Sequence, residues 1–385
     1  MIEDFAAIRA AIDLFMPRLD ALAKCGEDMA AIEDILQSCV GQLAHDLGLR
    51  RTLTCRLADL DLPKVSVLLA SLPRAHQRVC VFKVKASGDL EVLLNKSAIV
   101  LPRGRPFVRI PIYVWLFGAA ITKFPTLRGE WTCHLGDPGF WNTAAFSSNH
   151  PEACLVPDPL FFQSGGWADF RAAMAANPIP WQARIPKAFW RGGGHGIKRY
   201  WPPRAADDMF WLPRAEFCSR ARCSSIASHI DVGLVSWGQI PDPEMLQVLQ
   251  KSGLNADFVP KEKFAQYKYV FDIDGNSNSW PGLFTSLLTT ACVIKIESEH
   301  GFRQWYYDRL IPWTHYVPVR SDFSDLESKV QWVLDNDDRA REIGEAGLAL
   351  AQSIDYNAEL DAAVGRLVIW CCYGSGYRVR AAASR

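Results

Sequence analysis

The sequence predicts an α/β protein with two domains, and three observations lead to that prediction. A chain of 385 residues is longer than one hydrophobic core usually serves. Apolar residues make up 49% of the chain and charged residues 22%, a balance that excludes disordered and collagen-like proteins. In the second half, strand-like and helix-like segments alternate, which is typical of a parallel sheet covered by helices.

In the first 50 residues, apolar residues are spaced as they are in two consecutive helices. Apolar residues recur at steps of three and four from Phe5 to Leu22, and again from Met29 to Leu47. We predict that 1–50 forms a helical hairpin packed on the main body. The alternative is that the same apolar seam joins two copies of the chain in a homodimer.

Residues 51–180 contain several segments with the apolar period of strands, and we assign them to a first α/β domain. The segments 79–84 and 90–94 flank Ser87-Gly88-Asp89 and predict a β-hairpin. Further strands are predicted over 108–117 and 131–135. The longest apolar run, 112–121, is too short to span a bilayer.

Residues 181–360 are assigned to a second domain with a parallel sheet. Its strands are predicted over 187–190, 229–236, 268–273 and 292–296, with a helix over 281–290. Two more helices are predicted to begin near Asp325 and Asp337. Residues 361–385 are assigned to a C-terminal segment and tail.

Charge and cysteine usage exclude several classes of protein. The 42 basic and 42 acidic residues give a formal charge of zero, which predicts no nucleic-acid partner. The 11 cysteines are odd in number and irregularly spaced, and the first residues lack the pattern of a signal peptide. We therefore expect a cytoplasmic protein whose cysteines are small buried side chains rather than disulfides or metal ligands.

A glycine-rich basic loop follows the strand predicted over 187–190. It reads Arg191-Gly192-Gly193-Gly194-His195-Gly196 and continues to Lys198-Arg199. Glycines let backbone amides converge on an anion, and the basic side chains neutralise it, so the loop suits a diphosphate. The alternative is a tight turn with solvated charges. Neither a Walker A loop nor the GxGxxG order is present.

A second loop, made of polar residues, follows the strand predicted over 268–273. It comprises Asp274, Gly275, Asn276, Ser277, Asn278, Ser279 and Trp280, and Pro281 suits the first turn of the next helix. Open α/β sheets bind ligands outside the carboxyl ends of strands, beside such helix N-termini. Asp272-x-Asp274 is also similar to the acidic pair with which some glycosyltransferases hold a divalent cation. Because alternation lets only one of them face the loop, we predict no metal site.

These two loops, in this order, resemble glycosyltransferase family 90. The resemblance runs from about residue 131 to 352 and is strongest in KYVFDIDGNSNSWPGLFTSLLTTACVIKIES and WYYDRLIPWTHYVPVRSDFSDLESKVQWVLDNDD. Phe189-Trp190-Arg191-Gly192 with Arg199 is similar to the family's Phe-x-Arg-Gly loop and its downstream arginine. A weaker similarity covers the segment from His134 to Pro138.

The resemblance implies a GT-B-like fold, in which two Rossmann-like domains face across a cleft. It implies inverting sugar transfer from a nucleotide-sugar donor, expected to be a UDP-sugar, without a metal or another cofactor. The donor diphosphate should face Arg191, Gly192, Gly193 and Arg199, and the loop 274–280 should line the nucleotide-sugar pocket.

The resemblance also suggests the acceptor side. Asp137 and Trp167 are expected to contact the acceptor, which we expect to be a lipopolysaccharide core or capsular saccharide at the inner face of the membrane. Alternatives are a protein acceptor, or an inactive relative that only binds a nucleotide sugar. The position of the family's general base falls on Ala153, so Glu152 and Asp158 are the two candidates for that carboxylate.

Overall fold

A computed structural model describes residues 65–70, 79–95, 109–137, 139, 142–196, 212–237, 246–247 and 250–373. The hairpin predicted over 1–50, Arg199 and the tail after residue 373 lie outside the described residues. The described residues form two compact units. One includes the residues up to Gly166 and those from Asp355 onward, and the other spans Trp167–Ile354.

Both units contain strands and helices, which confirms the α/β class. The strands are β1 Val65–Ala70, β2 Val79–Val84, β3 Leu90–Asn95, β4 Gly129–His134, β5 Ala144–Ala145, β6 Cys154–Leu155, β7 Ile185–Gly193, β8 Ile230–Ser236, β9 Tyr267–Asp272, β10 Cys292–Ile296 and β11 Val317–Val319. The α-helices are α1 Ile110–Lys123, α2 Pro159–Gln163, α3 Ala168–Ala176, α4 Pro213–Arg222, α5 Pro281–Leu288, α6 Leu326–Asp335, α7 Asp337–Ser353 and α8 Tyr356–Tyr373.

The first unit is built on a mixed sheet with the order β1-β3-β2-β4-β5-β6. The predicted hairpin is confirmed, since β2 and β3 pair antiparallel and Val84 stands opposite Leu90. Its turn closes with a hydrogen bond of 2.9 Å from Lys85 N to Asp89 O, and Gly88 supplies the positive φ of 92° that the turn needs.

The prediction of a strand over 108–117 is wrong, because most of this segment lies in α1. Tyr113, Leu116, Phe117 and Ala120 are fully buried. A helix that is buried on every side carries no polar residues at helical spacing, so its periodicity cannot be told from that of a buried strand. No helix of the described residues is both long enough and apolar enough to cross a membrane.

Helix α8 completes the first unit although it comes last in the described chain. It packs against α1. Three hydrogen bonds join it to distant segments of the unit: Trp131 Nε1 donates to Cys371 O, Arg366 Nε to Leu155 O and Tyr356 Oη to Phe162 O. The first unit is therefore discontinuous in sequence.

The second unit is built on a five-stranded parallel sheet with the order β11-β10-β9-β7-β8, as the alternation in the second half predicts. The predicted strands correspond to β7, β8, β9 and β10, and the predicted helices to α5, α6 and α7. The strand order reverses at β7, which has β8 on one side and β9 on the other. The carboxyl ends of β7 and β9 therefore flank the switch point of the sheet.

The carboxylate of Asp337 holds the start of α7 against the amino end of β9. Lys268 Nζ lies 2.9 and 2.8 Å from its two oxygens, and Tyr269 Oη and Trp181 Nε1 each donate to it at 2.9 Å. Burial raises the pKa of Asp337, but these donors outweigh it, and the pKa falls below its ordinary value.

Helix α7 approaches the backbone before β10 so closely that only glycine fits at position 344. A Cβ atom there would lie 2.5 Å from Thr290 O and 3.2 Å from Cys292 N. Because both neighbours are backbone atoms, neither can turn aside. The close approach holds α7 tightly against the beginning of β10.

Replacing Gly344 by alanine should lower the free energy of unfolding by roughly 1–3 kcal/mol, the usual range for overpacking. The matched control is Gly365→Ala in α8, where a Cβ atom meets nothing within 4 Å. There the better helix propensity of alanine should stabilise the protein by roughly 0.5–1 kcal/mol. Chemical denaturation measures both variants. Equal effects would contradict the packing described for α7.

Candidate functional site

The two loops singled out from the sequence meet at one edge of the parallel sheet. The glycine loop includes the end of β7, and the polar loop follows β9. Because β7 and β9 pair in parallel, their carboxyl ends lie side by side. This edge is also the switch point of the sheet, where open α/β folds bind ligands.

Arg214, at the start of α4, ties the two loops together. Its guanidinium donates to Gly193 O at 3.1 Å, to Ile273 O at 3.0 Å and to Asp274 O at 3.0 Å. It also lies over the ring of Trp190, 5.6 Å from the centroid. Burial lowers the pKa of Arg214, and the nearby Asp272 and Asp274 carboxylates act in the opposite direction. Sequence reasoning missed Arg214, which has no special pattern around it.

The glycine loop is tightly packed against its neighbours. A Cβ atom on Gly192 would lie 2.4 Å from the Trp190 ring, and one on Gly193 would lie 2.4 Å from His195 Nδ1. Gly194 N donates to Ser236 O at 2.7 Å, which fastens the loop to the end of β8. Packing thus supplies a reason for these glycines, and their contact with a diphosphate stays a prediction.

The side chain of Arg191 is bound to β8. Its guanidinium donates to Asp231 Oδ1 at 2.6 Å and to Asp231 O at 3.0 Å, and it lies over the Phe189 ring at 4.6 Å. The Arg191 side chain therefore links β7 to β8, and Arg191 also stands next to the glycine loop.

The polar loop is shaped by its own hydrogen bonds. Asn278 Oδ1 accepts from Trp280 N at 2.8 Å, and Gly275 N donates to Asn278 O at 3.3 Å. Ser279 Oγ accepts from Leu283 N at 3.1 Å in the first turn of α5. Trp280 has a positive φ of 54°, which turns the chain into that helix.

Two buried side chains of this loop each have a polar atom without a hydrogen-bond partner among the described residues. Ser277 and Asn278 are both 0% exposed. Neither Ser277 Oγ nor Asn278 Nδ2 has a hydrogen-bond partner among the residues that the structure describes. Because an unsatisfied buried polar group costs about 1–3 kcal/mol, these atoms of two consecutive residues are candidates for hydrogen bonds to a ligand.

The acidic pair of the same loop meets a buried lysine. Lys295 Nζ on β10 lies 2.9 Å from Asp272 Oδ2 and 4.0 Å from Asp274 Oδ1. Burial raises the pKa of Asp274 to about 6, and Lys295 acts in the opposite direction. The described residues contain no cluster of three or more His, Cys, Asp or Glu side chains arranged to hold a metal.

A small open pocket adjoins the polar loop at the ends of β9, β10 and β11. Its lining combines acidic and aromatic side chains and includes Asp274, Ser277, Glu297, Glu299, Phe302 and Phe323. Sequence reasoning did not single out the last four, which come from segments that meet only in the folded sheet.

Three carboxylates predicted for the acceptor side lie in the first unit. Asp158 is 2% exposed and caps α2, since its Oδ1 accepts from Leu160 N at 2.8 Å and from Phe161 N at 3.0 Å. Glu152 is exposed in a turn. Asp137 pairs with Arg109 at 2.9 Å.

The fourth residue predicted for the acceptor side, Trp167, begins the second unit. It stands just before α3 with a positive φ of 65°. The acceptor and base roles of all four residues stay predictions.

The model of the family "Glycosyl transferase family 90" matches residues 163–356, half of the chain. The chain belongs to this family. The match confirms the resemblance read from the sequence. It includes both loops, Arg214 and Lys295, whereas Asp137, Glu152 and Asp158 lie before it.

Named relatives agree with the family. The chain is 37% identical to protein O-glucosyltransferase 1 of Rattus norvegicus over 291 residues, which cover 70% of this chain and 62% of the relative. It is 30% identical to protein O-glucosyltransferase 2 of Danio rerio over 173 residues, 45% of this chain and 30% of the relative. It is 28% identical to uncharacterized protein 179R of Invertebrate iridescent virus 6 over 187 residues, 45% of this chain and 16% of the relative. The matches thus span less than two thirds of each of these proteins.

Replacing Arg214 by methionine should loosen both loops, because three backbone carbonyls lose their donor. We expect a loss of roughly 1–3 kcal/mol in the free energy of unfolding and a weaker affinity for the nucleotide-sugar donor. Denaturation and calorimetric titration measure the two effects. The control is Arg339→Met in α7, whose partner Glu342 is as exposed as Arg339 itself. That change should alter the free energy of unfolding by no more than about 0.5 kcal/mol. If Arg214→Met matches the control in both measurements, the crosslink is unimportant.

Proposed function

We propose that this chain is an inverting glycosyltransferase that uses a UDP-sugar and needs no metal ion. Family membership, which covers both loops, is the observation that carries the proposal. The site adds support, since the two loops flank the switch point of a parallel sheet and the polar loop holds two buried atoms without partners.

The donor diphosphate would lie between the glycine loop and the start of α5. Backbone amides at a helix N-terminus carry partial positive charge and suit an anion. Arg191, beside the glycine loop, and Arg199 would add full positive charges. Ser277 Oγ and Asn278 Nδ2 are suited to hydrogen-bond the nucleotide sugar, and Ser277 also lines the small pocket beside the loop.

The proposed reaction is a single displacement. The acceptor hydroxyl attacks the anomeric carbon from the face opposite the diphosphate, the bond to the diphosphate oxygen breaks, and a carboxylate takes the hydroxyl proton. Amides and arginines stabilise the charge that develops on the leaving UDP. Glu152 and Asp158 are the candidate bases. The proposal includes a GT-B-like fold, in which a base from one Rossmann-like domain serves a donor held by the other.

We propose a saccharide acceptor of the lipopolysaccharide-core or capsular class, which fits a cytoplasmic enzyme in peripheral contact with the inner membrane face. The second candidate is a protein acceptor. The 37% identity with a relative named protein O-glucosyltransferase 1 favours that candidate. An inactive nucleotide-sugar-binding protein is the third, because Ala153 stands where the family's base is expected. Transfer to purified glycolipid and to folded protein acceptors, measured side by side, separates the three.

A panel of UDP-, GDP- and CMP-sugars tests the donor. At a UDP-sugar concentration of about 100 times the dissociation constant, binding should stabilise the protein by about 2.7 kcal/mol. GDP- and CMP-sugars should stabilise it less. Slow release of UDP without an acceptor should accompany binding, because water can replace the acceptor hydroxyl. Equal stabilisation by all three classes would refute the assignment of UDP.

Arginine variants test the same donor site. Arg191→Ala and Arg199→Ala should each weaken donor use about tenfold to a hundredfold, the value of about 1.5–3 kcal/mol for one charge-assisted hydrogen bond. The matched control for Arg191 is Asp231→Asn, which breaks the same ion pair but keeps the arginine. If the control reproduces the loss seen in Arg191→Ala, the arginine acts only through the sheet.

Amide variants test the base. Asp158→Asn and Glu152→Gln remove basicity and keep shape, so the true base should lose about 10²–10⁴-fold in turnover, with donor binding retained. Asparagine caps a helix as well as aspartate does, so Asp158→Asn should keep its stability. Asp158→Ala should lower the free energy of unfolding by about 0.5–2 kcal/mol. Parental turnover in both amide variants would place the base elsewhere.

A further inference from the structure

A cavity of about 400 Å³ lies at the edge of the parallel sheet opposite to the two loops. It is formed by the ends of α3 and α5, by α7 and by the segments that lead into β7, β9 and β10. Its lining is largely apolar and includes two arginines, Arg171 and Arg184, but no aspartate or glutamate of the described residues. The volume is within the range of small-molecule sites.

Arg184 places a buried positive charge at this cavity. The residue is 7% exposed, and its guanidinium donates from Nε to Ile179 O at 3.1 Å and from Nη1 to Thr289 O at 3.0 Å. Both acceptors are neutral carbonyls, and Nη2 takes part in neither bond. Burial lowers the pKa of Arg184, and no carboxylate among the described residues acts in the opposite direction. Within the described part of the chain, this cation therefore lacks a counter-ion.

Two other largely buried cations of the second unit each meet a carboxylate. Lys295 lies 2.9 Å from Asp272, and Arg191 lies 2.6 Å from Asp231. Buried charges in proteins are normally paired, because a charge loses its hydration when it is buried. The carboxyl end of a helix carries only about half a negative charge. The end of α5 therefore does not neutralise Arg184, and an anion in the cavity would.

We propose that this cavity is a second ligand site, which binds a small organic anion made of one carboxylate and a hydrocarbon body. The carboxylate would lie against Arg184, because a planar guanidinium matches its two oxygens. The body would lie against the apolar side chains of the lining, such as Met174, Ile179, Leu288 and Leu348. A single uncompensated cation suits a ligand with a single negative charge.

The cavity and the proposed donor site lie at opposite ends of α5. This helix begins at the polar loop, and Leu288, its last residue, lines the cavity. A helix of 8 residues is about 12 Å long, so the two sites are separate. The inference does not rest on the proposed function, since binding here needs neither UDP nor sugar transfer.

Calorimetric titration with octanoate is the first test. The parent should bind it with a dissociation constant on the order of 0.1–1 mM, as expected for about ten non-hydrogen atoms. Octanamide, which has the same chain but no charge, should bind at least tenfold more weakly, because the hydrogen bonds lose their charge assistance. UDP should leave octanoate binding unchanged. Absence of octanoate binding, equal affinity for octanamide or displacement by UDP overturns the proposal.

An arginine variant locates the bound carboxylate. Arg184→Met should weaken octanoate binding at least tenfold. The matched control is Arg222→Met in α4, because Arg222 also donates to backbone carbonyls, those of Val232 and Gly253, but does not line the cavity. Both variants lose bonds to backbone, and only Arg184→Met should lose the ligand. Equal octanoate binding by the two variants overturns the proposal.

A second variant fills the cavity and leaves Arg184 in place. Ala175 is exposed on α3 and lines the cavity, so Ala175→Trp should block octanoate with little effect on the thermal transition. The control is Ala172→Trp, which is exposed one turn earlier on α3 and outside the lining, and it should bind octanoate as the parent does. This pair decides the question even if Arg184→Met does not fold. Octanoate binding that survives in Ala175→Trp contradicts the proposed site.

Discussion

The organisation of the site depends on one side chain that bonds to backbone. Arg214 donates to the one carbonyl that ends β7 and to the two that follow β9, so the two loops that flank the switch point are held in one geometry. Carbonyl acceptors have little freedom to move, and a guanidinium is a rigid planar fork, which makes such a crosslink stiffer than a bond between two side chains. The glycine loop and the polar loop thus form one preorganised edge, which reduces the conformational entropy that these loops would lose on binding a ligand.

Around this crosslink, several charged side chains of the second unit form ion pairs. Asp272 meets Lys295 on the neighbouring strand, and Arg191 meets Asp231 on the other side of β7. The ammonium of Lys261 instead donates to Ser286 Oγ at 2.8 Å, and burial lowers the pKa of Lys261 to about 8 against the pull of Asp272. The polar loop itself contributes the small neutral side chains of Ser277 and Asn278, both of which are buried. Neutral hydrogen-bonding groups select by shape and position more than by net charge.

The sequence could predict features that depend on neighbouring residues, but not those that depend on contacts between residues far apart in the chain. The hairpin, the strands β7 to β10 and both loops follow from patterns within a few residues, and the structure places the two loops at neighbouring strand ends. Arg214 was missed because its partners lie 21, 59 and 60 residues away. The helix α1 was mistaken for a strand because continuous burial erases periodicity. The convergence of Asp272 and Asp274 on Lys295 was missed because it depends on the residue at which β9 ends.

The discontinuous first unit has a consequence for the order in which the chain can fold during synthesis. Ribosomes deliver the chain from its amino end, and domains generally fold as units when they are complete. The second unit is continuous and is complete once Ile354 has left the ribosome, whereas the first must wait for α8. Until then, the groups that accept bonds from α8, such as the carbonyls of Leu155 and Phe162, and the apolar surface of α1 lack their helical partner. Of the two units, the one whose synthesis begins earlier is therefore the one completed later, and its apolar surface stays uncovered while translation continues.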